Sequence, residues 1–275
     1  MQKIIAILII KSYNFADFTM WLKWYSNFIK CDEIVICDDN SIYDLKPIIQ
    51  IINPQVKYFK RSELNYKNAP GINNDQVKTY NYILQLISPN KDDIVILPDD
   101  DEFFWYDKNS FSSFKDCANY YRNKLHTNAV VVPWTLMSSN KIKNERKSNE
   151  SFIDCFNYRT NIESCEHKPI MFYNGLINTT HHCGYNSFKS ITESANKKSL
   201  IFSKCVYDLP LRCYHYRFTT IKDYEMKMSC DVAEHVSRFK IGYSKDFTNF
   251  IKNGINQNSK YEIEDLTMKN EFKKF

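Results

Sequence analysis

The sequence predicts an α/β fold in which a largely parallel β-sheet is covered by helices on both faces. Continuous apolar runs, typical of strands that are buried on both sides, occupy residues 3–10, 33–37 and 93–97. Between these runs, apolar residues recur at helical spacing over residues 17–30 and 77–87. Strands that alternate with helices form βαβ units, and such units build parallel sheets.

Each element follows from its own pattern. Strands are expected, in chain order, at residues 3–10, 33–37, 56–60, 93–97 and 129–132. The first helix covers residues 17–30, and the second is capped by Asn73 or Asn74 and ends before Pro89. After about residue 135 the periodicity weakens, and the lysine-rich residues 138–151 are expected to form an exposed loop.

The amino-acid composition restricts the kinds of ligand that the protein is expected to bind. Lysine and arginine number 37 against 32 acidic residues, an excess that suits an anionic ligand but is too small and dispersed for nucleic-acid binding. The chain has only 5 glycines and contains neither G-x-G-x-x-G nor the P-loop pattern. A bound diphosphate would therefore have to be neutralised by something other than a glycine-rich loop.

The cysteines and the apolar runs predict where in the cell the protein is located. The 9 cysteines include no C-x-x-C pair, which favours reduced thiols in the cytoplasm over zinc binding or disulfides. The apolar N-terminal run is too short for a signal peptide, and no segment approaches the roughly 18 apolar residues of a membrane span. We expect a cytoplasmic protein, with peripheral membrane contact left open.

Polar clusters follow three of the predicted strands. They are Ser12-Tyr13-Asn14, Asp38-Asp39 and Asp99-Asp100-Asp101. Ligands of open α/β sheets bind beyond the carboxyl ends of the strands, so these clusters mark a candidate site.

The run from Asp99 to Glu102 concentrates negative charge between apolar neighbours. Hard divalent cations such as Mg²⁺ or Mn²⁺ accept carboxylate oxygens and often complete their shell with substrate phosphates. A cation here would relieve the repulsion and bind a diphosphate. The alternative is a solvated acidic turn without a ligand.

Residues 97–104, LPDDDEFF, resemble the DxD motif of GT-A fold glycosyltransferases, in particular the family 2-like group and its relatives in family 92. The segment 21–41, which ends in D-D-N-S, and residues 132–134 resemble further parts of that pattern. So does the C-terminal stretch that contains His215, Tyr216, Thr219, Thr220 and Lys227. Two departures are threonine in place of the usual serine at 219–220 and the missing glycine after Lys227. The resemblance spans roughly residues 3–230.

The resemblance implies a Rossmann-like nucleotide-binding sheet with a less regular extension on the acceptor side. It implies a GT-A domain over residues 1–240, divided into a nucleotide-sugar half, 1–135, and an acceptor half, 136–240. Residues 241–275 are expected to be a peripheral tail. The implied activity is inverting transfer of a sugar, with hexose expected, from a nucleotide donor, with a UDP-sugar favoured, to a glycan or lipid-linked saccharide.

The implied metal ligands are Asp99, Asp101 and His215. Candidates for donor binding are Ser12, Asp38, Asp39, Lys78, Asp99, Asp100, Arg212 and Lys227. The general base is left open among Glu166, Asp154 and Glu163. Without the resemblance, His215 is more often a packed aromatic side chain than a ligand.

Other residues have two interpretations each. His181 and His182 are adjacent in sequence and would point to opposite faces of a strand, so they are expected to be structural or acceptor-facing. Trp105 and Trp134 would either stack on sugar rings or pack in the core.

Two rival functions stay open at this point. A Mg²⁺-dependent nucleotidyltransferase or phosphohydrolase also places aspartates at strand ends. A catalytically inactive sugar-binding protein of the same fold would bind the donor without turnover.

Overall fold

The structure is a computed structural model that describes residues 1–12, 14–69, 75–138, 145–147, 149–160, 167–177, 189–190, 209–216, 220, 222–223 and 262–275. Its strands are β1 Ile4–Ile10, β2 Glu33–Asp38, β3 Lys57–Lys60, β4 Ile94–Ile96, β5 Glu102–Tyr106, β6 Ala129–Ser138, β7 Tyr158–Thr160, β8 His167–Phe172, β9 Lys189–Ser190, β10 Leu211–His215 and β11 Glu262–Glu264. Its helices are α1 Phe15–Lys23, α2 Lys46–Ile52, α3 Asp75–Ile87, α4 Phe114–Leu125, α5 Phe152–Cys155 and α6 Thr267–Phe272.

The sheet has the order β11-β7-β6-β8-β4-β1-β2-β3. Its β3-β2-β1-β4 part is parallel. Strand β8 lies between β4 and β6 and runs antiparallel to both. The predicted α/β class is confirmed, and the five predicted strands are all present. The fifth, β6, is longer than predicted. It extends to Ser138, past residue 135, where the nucleotide-sugar half was predicted to end.

Both faces of the sheet are covered, as predicted. On one face, the even-numbered residues of β1 pack with Trp21 of α1 and Phe114 of α4. On the other, Ile5 and Ile7 of β1 pack with Leu84 of α3. The alternation of β1 between two apolar layers is the reason that its sequence is a continuous apolar run.

Helix α1 begins at a side-chain N-cap, and its last residue is followed by a π-helical segment. The Asn14 side chain accepts hydrogen bonds from the backbone N–H groups of Ala16 and Asp17 at 2.9 and 3.2 Å. Asn14, predicted as part of a ligand cluster, therefore serves as an N-cap. After Lys23 the helix continues as a π-helix over Trp24–Phe28.

The C-terminal part of the chain adds further strands. Strand β10 pairs antiparallel with β5 and parallel with β6, while β11 pairs antiparallel with β7. In α6, Met268 is buried in the main core. The described part of the predicted tail, 262–275, is thus packed against the domain, while the predicted boundary at residue 240 lies outside the described residues. No helix in the described ranges is long and apolar enough to cross a membrane.

Candidate metal and donor site

The carboxyl ends of β1, β2 and β4 lie at one edge of the sheet. The register pairs Ile10 at the end of β1 with Asp38 at the end of β2. The backbone N–H of Ser12 donates to Ser41 Oγ at 2.8 Å, and the N–H of Ile42 donates to the Ser12 carbonyl at 3.0 Å. The first predicted cluster is therefore in contact with the loop that follows the second.

Asp38 and Asp39 have different partners. The carboxylate of Asp38 is buried and accepts from the Ser41 N–H at 2.8 Å and from the Tyr58 hydroxyl at 2.5 Å. Burial, together with the adjacent Asp38 carboxylate, raises the pKa of Tyr58 above its usual range. Asp39 Oδ2 accepts from Arg61 Nη1 at 2.8 Å and remains partly exposed. Asp38 is thus occupied in fixing the loop, whereas Asp39 still faces solvent.

Arg61 was not among the predicted site residues. It follows β3 directly, and its Nε donates to the Thr79 hydroxyl of α3 at 3.3 Å. Its guanidinium lies 4.8 Å from the centroid of the Tyr66 ring. The available signal was its position at the end of a third parallel strand, the same position that identified Asp39 and Asp99.

The backbone of the acidic loop, Asp99–Glu102, is fixed by aromatic donors of α1 and its π-helical extension. Trp21 Nε1 donates to the Asp99 carbonyl at 3.1 Å, and the Tyr25 hydroxyl donates to the Glu102 carbonyl at 2.9 Å. Residues three and four apart on a helix share a face, which explains how one helix supplies successive donors. From the other side, the Tyr216 N–H donates to the Asp101 carbonyl at 2.9 Å.

Lys168 of β8 contacts two carboxylates of the acidic loop. Its Nζ lies 2.8 Å from Asp99 Oδ2 and 2.6 Å from Glu102 Oε2. The side chains of Lys168 and Glu102 are fully buried, while that of Asp99 is 34% exposed. Burial alone would lower the pKa of Lys168, but the two carboxylates outweigh it and raise the pKa above its usual range. Lys168 is therefore a buried cation.

Lys168 was also missed in the sequence. Its signal was a lysine at the start of the apolar run KPIMF, where a charge is costly unless it is paired. The partner could not be identified, because β8 lies about 70 residues beyond the acidic loop and pairs antiparallel with β4.

His215 lies beside Asp101, while its predicted role as a metal ligand stays a prediction. The β5–β10 ladder places His215 opposite Glu102, next to the acidic loop. His215 Nε2 is 3.4 Å from Asp101 Oδ1, and the two side chains are 8% and 9% exposed. The ring of Trp134 packs against the imidazole with centroids 4.0 Å apart. Trp134 is thus buried beside His215, where it could not stack on a sugar.

The pair Asp101 and His215 fits a divalent cation. Two ligands that are each about 2.1 Å from one ion lie roughly 3.0–3.4 Å apart for angles of about 90–110° at the ion. The observed 3.4 Å falls at the upper end of that range. Within the described residues, no group of three or more His, Cys, Asp or Glu side chains could hold a metal ion. A cation here would therefore have to complete its shell with water and substrate phosphates, as Mg²⁺ commonly does.

Arg212 is not brought to this cluster. It lies on the face of β10 opposite to His215, with its guanidinium 5.0 Å from the centroid of the Trp105 ring. Its Nη1 donates to the Tyr214 hydroxyl at 3.1 Å, and its Nε donates to the Leu209 carbonyl at 3.0 Å. These contacts hold the C-terminal region together.

Two further candidates have local partners. Lys78 Nζ donates to the Lys67 carbonyl at 3.3 Å. Asp154 is exposed and caps α5, where it accepts from the N–H and hydroxyl of Ser151 at 3.1 and 2.5 Å. Asp100 is partly exposed within the acidic loop.

Several predicted residues lie outside the described residues. They are Glu163, Glu166, His181, His182, Thr219 and Lys227. Thr220 is described, and its hydroxyl donates to Asp223 Oδ2 at 2.8 Å, away from the acidic loop.

No protein-family model matches this chain, and no curated protein matches it. Among solved structures it is similar to a 4-diphosphocytidyl-2C-methyl-D-erythritol synthase, at 12% identity and a TM-score of 0.32, over 55% of this chain and 66% of that one. It is also similar to glucosyl-3-phosphoglycerate synthase from Mycobacterium tuberculosis, in complex with Mn²⁺, UDP and glucosyl-3-phosphoglycerate, at 13% identity and a TM-score of 0.29. That match covers 49% of this chain and 44% of the synthase.

A third similar structure is S. aureus TarS 1–349, at 12% identity and a TM-score of 0.36. The match covers 82% of this chain and 63% of that one. The chain thus spans less than two thirds of the length of each of these three proteins. Similarity at this level does not establish an activity, so the contacts of the site itself carry the functional proposal.

Proposed function

We propose that this chain is a divalent-cation-dependent glycosyltransferase of the GT-A type, which transfers a sugar from a nucleoside diphosphate donor to a hydroxyl acceptor. The observation that carries this proposal is the pair Asp101 and His215, 3.4 Å apart at the edge of the sheet where Asp39 and Arg61 also lie. The relationship to family 92, the preference for a UDP-sugar and the transfer of a hexose are finer parts of the same proposal.

The distance from Asp39 and Arg61 to the acidic loop suits the length of a nucleotide. Strands β2 and β4 flank β1, so their ends lie two interstrand distances apart, or about 10 Å. That separation would let a nucleoside lie near Asp39 and Arg61 while its diphosphate reaches the acidic loop. A divalent cation held by Asp101 and His215 would supply positive charge to the diphosphate as it leaves.

The protein side chains then have distinct roles. Asp101 and His215 hold the cation, and Asp39 accepts from the ribose or the base. Arg61 orients Asp39 through its 2.8 Å contact. The acceptor, a glycan or lipid-linked saccharide, would approach from the side opposite the leaving diphosphate, because inversion requires attack from that side. The general base stays a prediction among Glu163, Glu166 and Asp154, as do cytoplasmic location and peripheral membrane contact.

The test is a donor screen with product identification. Purified protein is incubated with a panel of nucleotide sugars, with a panel of saccharides as hydroxyl acceptors and with Mn²⁺, Mg²⁺ or EDTA, and the released phosphorus species are resolved by chromatography. The proposal expects free nucleoside diphosphate, with a UDP-sugar as the preferred donor, and release that stops in EDTA.

Other products would identify the rival functions. A parallel incubation with nucleoside triphosphates and sugar phosphates would release pyrophosphate if the protein were a nucleotidyltransferase, and release of inorganic phosphate would indicate a phosphohydrolase. Donor-dependent thermal stabilisation without any product would indicate a sugar-binding protein, because a ligand that binds only the native state raises its stability. Any of these results would refute the proposal.

A further inference from the structure

We propose that Lys168 is a positioning residue that withholds Asp99 from direct metal coordination, so that Asp101 and His215 are the protein ligands of the cation. This inference rests on the proposed function. It assigns different roles to the two aspartates of the D-x-D pattern, Asp99 and Asp101, although the pattern treats them alike.

The geometry of Asp99 supports this division. Its Oδ2 lies 2.8 Å from Lys168 Nζ, a charge-assisted contact that a directly bound cation would have to displace or share. Lys168 cannot turn to solvent, because its side chain has no exposed surface and Glu102 holds the same ammonium at 2.6 Å. Asp99 is thus held from inside the protein.

The geometry of Asp101 differs. Lys168 Nζ contacts Asp99 and Glu102, whereas His215 Nε2 lies 3.4 Å from Asp101 Oδ1. A neutral imidazole offers a lone pair to a metal ion, whereas an ammonium cannot. The loop therefore presents one carboxylate bound to a permanent cation and another bound to a potential metal ligand.

The inference predicts that removal of Lys168 changes metal binding through Asp99. In the Lys168→Met variant, Asp99 can turn toward the cation, so Mn²⁺ should bind about tenfold more tightly to the folded protein. The misplaced Asp99 should lower kcat by about 10- to 100-fold, as loss of outer-shell partners commonly does, with little change in KM for the donor.

The experiment is a double-mutant cycle read by Mn²⁺ binding without nucleotide. Free Mn²⁺ is quantified by electron paramagnetic resonance during titration of wild type, Lys168→Met, Asp99→Asn and the double variant. Lys168→Met should tighten binding in the wild-type background, and should not tighten it when Asp99→Asn is also present. Lys168→Arg keeps the positive charge and should retain wild-type affinity.

The outcomes separate this inference from the proposed function. If wild type binds no Mn²⁺ even when UDP is added, both are wrong. If wild type binds Mn²⁺ but Lys168→Met leaves affinity and kcat per folded molecule unchanged, Lys168 is only structural and this inference alone is overturned. Should Lys168→Met fail to fold, the same cycle is run with Glu102→Gln added, which removes both members of the buried pair.

Discussion

Two buried ionic clusters in the described part of the chain differ in how their charges are enclosed. In the acidic loop, Asp99 is 34% exposed while Lys168 beneath it is fully buried. In the second cluster, Arg146 lies between Asp17 and Asp223, and all three side chains are at most 5% exposed. Both clusters join distant segments of the chain, yet one opens to solvent and the other is closed.

In the closed cluster, formed by Asp17, Arg146 and Asp223, both carboxylates accept hydrogen bonds from Arg146. Arg146 Nη1 donates to Asp17 Oδ1 at 2.7 Å, and Arg146 Nε donates to Asp223 Oδ2 at 3.1 Å. The Phe152 N–H adds a bond to Asp17 at 2.9 Å. Even so, burial raises the pKa of Asp17 to about 6, which shows how costly the enclosed charge is.

Full enclosure suits a structural role, whereas the ligand site that we propose requires a cluster that is partly open to solvent. The closed cluster connects α1 to Arg146, Phe152 and Asp223. In the acidic loop, Lys168 contacts the carboxylates of Asp99 and Glu102, and Asp99 is exposed on its other side. Under the proposed function, the cation would approach from that exposed side.

The largest effect is expected from substituting Asp101, the proposed metal ligand in the acidic loop. Asp101→Ala should lower metal-dependent sugar transfer by about 10³-fold or more, because charge stabilisation by a metal ion is worth several kcal/mol. Turnover of the donor is measured at saturating Mn²⁺. Glu145→Gln, an exposed carboxylate paired with Lys222, is the matched control and should retain wild-type rates. Full activity in Asp101→Ala would refute the metal assignment.

Breaking the closed cluster should affect stability instead. Arg146→Met leaves two buried carboxylates without their partner, and should lower the free energy of unfolding by about 3–5 kcal/mol. Urea denaturation measures the loss, while Mn²⁺ affinity of the remaining folded protein should be unchanged. A variant that folds normally but no longer binds Mn²⁺ would show that the two clusters are not separate in function.

A smaller effect is expected at the nucleoside end of the site. Arg61→Met removes the partner of Asp39 and should raise KM for the donor by about tenfold, with kcat nearly unchanged. Steady-state kinetics with the preferred nucleotide sugar provide the measurement. Lys274→Met, which removes an exposed lysine paired with Glu271, is the control. An equal rise of KM in both variants would remove the special role of Arg61.

The smallest effect is expected from weakening α1, the helix that contacts both clusters. Helix α1 carries both Asp17 and Trp21, and Asn14 caps it. Asn14→Ala should destabilise the fold by about 1 kcal/mol without changing Mn²⁺ affinity. Thermal and urea unfolding test the first part, and a metal titration tests the second. A large loss of Mn²⁺ affinity would assign Asn14 to the ligand cluster, as its position in the sequence first suggested.

Much of the fold was predictable because its signals are local. The apolar runs identified β1, β2 and β4, and the position of aspartates directly after the last two identified the edge of the sheet. The proximity of His215 to Asp101 was expected only through resemblance to a family, since more than 100 residues separate them.

The sequence by itself determined the alternation of strands and helices, the two-sided burial of the sheet and the acidic loop at the end of β4. These features depend on residue periodicity and on the direction of parallel strands, which neighbouring residues specify. Only the tertiary structure decided that Lys168 lies under Asp99, that Arg61 holds Asp39, and that Arg212 faces away from His215. Those facts depend on strand order and register between segments far apart in the chain, where a shift of one residue would turn each side chain to the opposite face.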